Sequence, residues 1–301
     1  MLYIRSSVFF CFSIWISLAM GTTTQEYLDF VLPLVKNAGQ ELLSVKNVEV
    51  EEKGEFYDVV TVYDRKIEQI LFKKIKERWP DHKFIGEEES YTKGISQLSN
   101  ESTWIIDPID GTANFVRNLK DACISVGLVI NKEQVMGVVY NPFMDELYTA
   151  IKGQGAYLNG VKIQTNGATD ISKSVFNYEL SLGVNTKYYD LYMYRLKHLL
   201  KHIGGIRSMG SAVMGLCYVA TGRMEAYQCD GLFPWDAAAG VLIVREAGGY
   251  VRDSNGGEFD LMDPNYIATA TKELSDKFME IERRADQERE SDAQNHKQLK
   301  F

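Results

Sequence analysis

Trp104-Ile105-Ile106-Asp107-Pro108-Ile109-Asp110-Gly111-Thr112-Ala113-Asn114-Phe115 is the stretch whose reading decides this chain. An apolar run of β type ends in two carboxylates three residues apart, and the backbone then turns at glycine into threonine. Carboxylates this close repel one another unless a cation lies between them. Proline fixes φ at 108 and glycine permits close backbone approach at 111, so the turn directs oxygens and amide N–H groups at one point. A metal and phosphate site is one reading. A strand followed by a surface Asp-Gly turn is the other, and the segment alone does not separate them.

Working outward, further acids fall after strands or at helix starts. The segment 83–86 reads as a short strand that empties into Glu87-Glu88-Glu89, which is either a solvated loop or a ligand-bearing strand end of the α/β kind. Asp64 precedes Ile67, Leu71 and Ile75 at helical spacing, and an N-cap carboxylate is the simplest explanation for it. Trp235-Asp236 opens a helix of small residues that ends at Gly248-Gly249, as a helix C-terminus does. Close packing, and hence burial, follows for that helix.

The remaining elements are ordinary. Thr23-Thr24-Gln25-Glu26 reads as a capping box before an amphipathic helix carrying Leu28, Val31, Val35, Ala38 and Leu42, with Pro33 near its start. Strands are expected over 124–130, 135–140 and 146–151, with a hairpin turn at Asn159-Gly160. A second unit begins near Ile163, with a strand over 175–180, helices over 187–202 and 211–221, and strands over 250–253 and 267–271. No linker separates the halves, so the organisation is 22–162, then 163–285, then a charged tail over 286–301 whose composition predicts a frayed helix or disorder.

Composition bounds the function. The chain has 301 residues, is 45% hydrophobic and carries a formal charge of −8, enough to bury a sizeable core and poorly suited to nucleic acid, which needs basic patches. The cysteines, Cys11, Cys123, Cys217 and Cys229, show no metal-type spacing and no disulfide framework. Residues 1–21 stand apart: Arg5 precedes an uncharged, largely apolar run over 6–20, shorter than the roughly 20 apolar residues of a membrane-spanning helix. A secretory signal or anchor and an extension preceding a start at Met20 are both consistent with it, so the compartment is secretory in one case and cytoplasmic, by the kinship described next, in the other. A membrane partner is expected only if this segment is retained.

Taken in order, Asp64, Glu87-Glu88, the run Asp107 to Thr112, Trp235-Asp236 and Gly248-Gly249 resemble the ordered signature of the lithium-sensitive, magnesium-dependent phosphatases, and most closely the inositol monophosphatases, over about 25–281. The resemblance implies an α/β fold, a layered αβαβα sandwich of the inositol monophosphatase and fructose-1,6-bisphosphatase type. It implies hydrolysis of a small phosphate monoester, myo-inositol monophosphate first among them, with two to three Mg²⁺ ions, lithium sensitivity and a homodimer. Glu87, Asp107 and the carbonyl of Ile109 would hold one ion, Asp107, Asp110 and Asp236 a second, and Glu87 with water a third. Oxygen-only donors of this kind suit Mg²⁺.

By the same resemblance, Gly111 and Thr112 would receive the phosphate, and Asp64 with Thr112, assisted by Glu87, would activate water. Lys53 aligns with a lysine near the metal loop. Substrate hydroxyls would meet Asp110, Asp236, Ala212 and position 229, where the family's glutamate is replaced by Cys229. Asp230 beside it is a candidate substitute. The alternatives are the same chemistry on a sugar phosphate, fructose bisphosphate or 3′-phosphoadenosine nucleotide, and a non-catalytic metal or phosphate scaffold.

Overall fold

Three layers of helix enclose two sheets. The structure, a computed structural model, describes residues 5–45, 50–52, 59–184 and 186–298. The chain begins with α1 (Arg5–Leu43), the antiparallel pair β1 (Val50–Glu52) and β2 (Val59–Thr61), and α2 (Val62–Arg78). Then follow β3 (Lys83–Gly86), α3 (Glu87–Lys93), β4 (Thr103–Asp110), α4 (Thr112–Val116), β5 (Cys123–Ile130), β6 (Glu133–Asn141), β7 (Glu146–Ile151), β8 (Gly155–Leu158) and β9 (Val161–Ile163). The second half contains β10 (Val175–Tyr178), α5 (Thr186–Leu199), β11 (Gly205–Arg207), α6 (Ala212–Ala220), β12 (Ala226–Cys229), α7 (Ala238–Glu246), β13 (Tyr250–Asp253), β14 (Tyr266–Thr269) and α8 (Lys272–Gln298).

Among the described residues, β3 to β9 form a seven-stranded sheet in sequence order, parallel only between β3 and β4. A five-stranded sheet runs β11-β10-β12-β14-β13, with β10 parallel to both neighbours. The Asn159-Gly160 turn has φ of +50° and +79°, the doubly left-handed geometry of a tight hairpin.

Alternation along β4 separates two cores. Trp104 and Ile106 pack with Val31, Val35, Leu42, Ile67, Leu71 and Ile75 of α1 and α2, whereas Ile105 faces the core of α6 and α7, as a period of two requires. α6 is buried at every residue. α7 sits so close that a Cβ on Gly127 would fall 2.7 Å from that of Ala238, and one on Gly137 2.7 Å from the Ala239 carbonyl oxygen. α5 and α8 cover the outer face of the five-stranded sheet. The order is therefore helix, sheet, helix, sheet, helix.

One expectation fails, and of the two offered for the tail the structure shows helix. α1 is one helix from Arg5 to Leu43, so the segment 23–26 lies inside it and not at its start. The preceding apolar run contains no proline, and a helix once nucleated propagates at little cost. Among the described residues no helix is long and apolar enough to cross a membrane. The charged segment from 286 is also helical, as far as Gln298. Its charges are not idle: Asp286 pairs with Arg195 at 2.8 Å, Asp292 accepts from Tyr194 at 2.8 Å, and Glu288 is paired with Lys197 and His198. Opposite charge on α5 compensates for the few apolar residues.

Arg195 is the centre of that contact. It is 1% exposed and faces Asp286, Glu282 at 3.3 Å and Asp230 at 3.8 Å. Burial pushes Glu282 up to about 8 even against the pull of Arg195. Breaking such a buried network strands its acids, at a cost of about 3–5 kcal/mol. Arg195→Met is expected to lower the urea-unfolding free energy by about that amount, measured against the parent at neutral pH.

Candidate active site

The two carboxylates of β4 share a face because the strand carries a bulge. β4 pairs with β5 in regular antiparallel register as far as Asp107 opposite Ser125, and the next pair is Asp110 opposite Cys123. Three steps on one strand against two on the other is one extra residue. Without it, residues i and i+3 of a strand point to opposite faces. Pro108 occupies the bulge, where no ladder N–H is needed. Ile109 turns its N–H onto Asp107 Oδ1 at 3.0 Å.

Gly111 then adopts φ +82° and ψ +38°, the left-handed region, as the cap of α4. A Cβ there would meet the Asp121 carbonyl oxygen at 2.7 Å, so glycine is required twice over. The Thr112 hydroxyl lies 2.8 Å from the Ile109 carbonyl and 3.1 Å from Asp64 Oδ1. It has one proton and can donate to only one of them at a time.

Asp64 is at the third position of α2, not its N-cap. Thr61 is the cap, and Asp64 Oδ2 accepts from the Thr61 N–H at 2.7 Å and its hydroxyl at 2.5 Å. This capping box uses one oxygen of Asp64 and leaves the other beside Thr112. A structural role and a site role thus coexist in one buried side chain.

Asp110 is held from the second half of the chain. The N–H groups of Ala212 and Val213 each reach it at 3.0 Å, and the Ser211 hydroxyl donates to Oδ2. The two N–H groups are backbone donors of the α6 N-terminus without intrahelical partners, which favour a negative charge. Asp236 is positioned by its own short 3₁₀ turn, accepting the Phe233 N–H at 2.8 Å. Ligand oxygens of Asp107, Asp110 and Asp236 all lie within 4.8 Å of one another.

Glu87 opens α3 and stands outside that trio, although its charge acts on Asp107. Its helix is anchored by Glu68, which accepts the N–H groups of Glu88 and Glu89 at 2.9 and 2.8 Å. Gly86 is what admits Glu68: a Cβ there would be 2.3 Å from Oε2. Burial is the main cause that pushes Glu68 up to about 7. Glu88 itself points toward Arg65 at 3.8 Å.

The electrostatics are those of a cation site. Burial first, then Glu87, Asp110, Asp236 and Asp64, push Asp107 well above the ordinary aspartate range. Asp110 is raised by burial and pulled back by its donors from Ser211, Val213 and Ala212. Hard oxygen donors without histidine or cysteine fit a magnesium-like ion.

Position 229, where the resemblance puts a substrate contact, is buried. Cys229 is 1% exposed, with its thiol 3.9 Å from the Tyr192 hydroxyl, and burial pushes it well above the usual thiol range. Asp230 does not replace a glutamate there, because its carboxylate accepts from Ser254 and faces Arg195. Neighbouring residues at a strand end point to opposite faces. Lys53 lies outside the described residues. Ser211 and Glu68 were missed in the sequence; an acid on the apolar stripe of α2, between Ile67 and Leu71, was the available signal for Glu68.

Comparison with known proteins agrees with this geometry. The family model described as "Inositol monophosphatase family" matches residues 23–287. The chain belongs to the inositol monophosphatase family. It is 39% identical over 265 residues to inositol monophosphatase 3 of Solanum lycopersicum, covering 87% of this chain and 98% of that protein. It is 39% identical over 262 residues to inositol monophosphatase 1 of Homo sapiens, covering 86% and 95%. A solved Thermotoga maritima IMPase superposes with a TM-score of 0.77 at 32% identity, over 88% of this chain and 99% of that one. The family is generally magnesium-dependent, and lithium sensitivity is known in it.

In metal-free protein a carboxyl raised on folding holds its proton more tightly folded than unfolded, so its contribution to stability falls as pH rises from the ordinary aspartate range up through its raised folded value. At neutral pH the crowded Asp107 is therefore a liability that a cation removes. Asp107→Asn is expected to raise the melting temperature of EDTA-treated protein. Mg²⁺ at a hundredfold excess over Kd, which stabilises the parent by about 2.7 kcal/mol, is expected to leave the variant unchanged in a thermal scan.

Proposed function

We propose that the protein is a Mg²⁺-dependent phosphomonoesterase whose substrate is myo-inositol monophosphate, released as inositol and phosphate. The observation that carries this reading is the trio Asp107, Asp110 and Asp236 set beside Gly111, Thr112 and Asp64. Glu87, Asp107 and the Ile109 carbonyl would hold one ion in this reading, and Asp107, Asp110 and Asp236 a second, with a third, weaker ion on Glu87. When bound, the ions neutralise phosphate charge and favour in-line displacement by water. The working unit is taken as a homodimer, as kinship implies.

The chain's own groups then have defined tasks. The Gly111 and Thr112 amides, at a helix start where N–H groups lack intrahelical partners, receive the phosphate oxygens. A water beside Thr112 passes a proton to Oγ1 as Thr112 passes its own to Asp64 Oδ1, 3.1 Å away. Glu87 assists in orienting that water. The water oxygen bonds to phosphorus, the ester P–O bond breaks, the departing alkoxide takes a proton from solvent, and Asp64 returns its proton to solvent. Asp110, Asp236 and Ala212 flank the leaving group.

The neutral Cys229, standing where the family has a glutamate, favours keeping a second reading, the same chemistry on a sugar phosphate, fructose bisphosphate or 3′-phosphoadenosine nucleotide. Phosphate release across these substrates, with Mg²⁺, with EDTA and with Li⁺ added, tests both. The expected result is preference for inositol 1-phosphate, no turnover in EDTA and inhibition by Li⁺. No release from inositol 1-phosphate, with release from another substrate, transfers the assignment to the second reading. No release from any of them leaves a metal-binding scaffold. Thr112→Ala and Asp64→Asn are expected to lower kcat by about 10²–10⁴-fold, with KM changed far less in steady-state assays.

A further inference from the structure

Beyond the site residues, one buried carboxylate has no place in the reading above. Glu179 follows the end of β10 and is 4% exposed. Its Oε1 accepts from the Ser181 N–H at 3.1 Å, the Ser181 hydroxyl at 2.6 Å and the Ser208 hydroxyl at 2.9 Å. Oε2 accepts the Gly210 N–H at 2.7 Å. Four donors converge on one acid, so it is not available to a ligand.

What it holds is the turn that begins α6. Ser208 also accepts the Leu180 N–H at 3.0 Å, closing the turn onto the β10 side. On the other side, Asn114 of α4 donates to the Met209 carbonyl at 2.7 Å and the Asp121 carbonyl at 2.8 Å. Gly210 takes φ +74° between these two anchors. The next three residues, Ser211, Ala212 and Val213, are the ones that grip Asp110. Position and direction of those donors are thus set by a turn clamped between Asn114 and Glu179.

We infer that Glu179 is a positioning residue for cation binding: by fixing residues 208–211 it aims the α6 N-terminus at Asp110 and keeps Asp110 oriented toward Asp107 and Asp236. This rests on the metal reading above. A glutamine at 179 would present an NH₂ group to donors that need an acceptor, releasing the turn without altering charge at the trio itself. Partners of this kind, acting behind the ligands, change metal affinity by about 10–100-fold when removed.

The test uses full-length protein and Mn²⁺ alone, with free ion read by electron paramagnetic resonance and no substrate present. Glu179→Gln is expected to weaken Mn²⁺ binding about tenfold or more, to raise the Mg²⁺ needed for half-maximal phosphate release in parallel, and to recover most of the parent kcat at saturating Mg²⁺. Should that variant not fold, Ser208→Ala removes one of the four donors, and a shift of roughly two- to threefold in the same direction is expected. Parent-like Mn²⁺ affinity in a folded variant, with only the melting temperature lowered, overturns the inference and leaves Glu179 a folding residue. Absence of Mn²⁺ binding by the parent overturns the metal reading itself, and this inference with it.

Discussion

Like charges taken out of water repel with energies on the order of 4 kcal/mol at 4 Å for an effective dielectric of about 20, and here three carboxylates gather within 4.8 Å with two of them buried. Nothing in an apolar core favours that arrangement. It persists because each acid is held by donors of its own: Asp107 by the Ile109 N–H, Asp110 by the start of α6, Asp236 by the Phe233 N–H. The fold around them can be understood as the scaffolding for those donors.

The scaffold comes from both halves of the chain. A bulge in the seven-stranded sheet turns Asp107 and Asp110 onto one face, while the helix that stabilises Asp110 and the turn that bears Asp236 belong to the second half. Glycines at 127 and 137 let α7 approach the first sheet closely enough for this. Burial of small residues between two sheets therefore brings the site together. A site assembled across a layer boundary is sensitive to packing far from its oxygens, which is why Glu68 and Glu179, neither of them in the trio, set the directions of α3 and α6.

Much of this was legible beforehand. Period-two and helical patterns located β3 to β7 of the large sheet and the buried stripe of α1, because burial writes its period into composition. Acids at strand ends and helix starts, in a family's order, pointed to the site. Local rules failed where a distant partner decided. Asp64 reads as an N-cap, yet Thr61 takes that role and frees one oxygen for Thr112. The charged stretch after 286 reads as a frayed helix or disorder, and α5 supplies the counter-charges that hold it as helix. Asp230 reads as a neighbour of the site, yet Arg195 and Ser254 draw it the other way.

By itself, then, the order of residues pointed to the acids of the proposed site and to the elements that bear them, since donor type, turn glycines and apolar period are all local properties. Only tertiary structure decided which face each acid occupies and what holds it there. A one-residue bulge reverses the face of everything beyond it, and a hydrogen bond such as Ser211 to Asp110 spans a hundred residues of sequence without leaving any periodic trace.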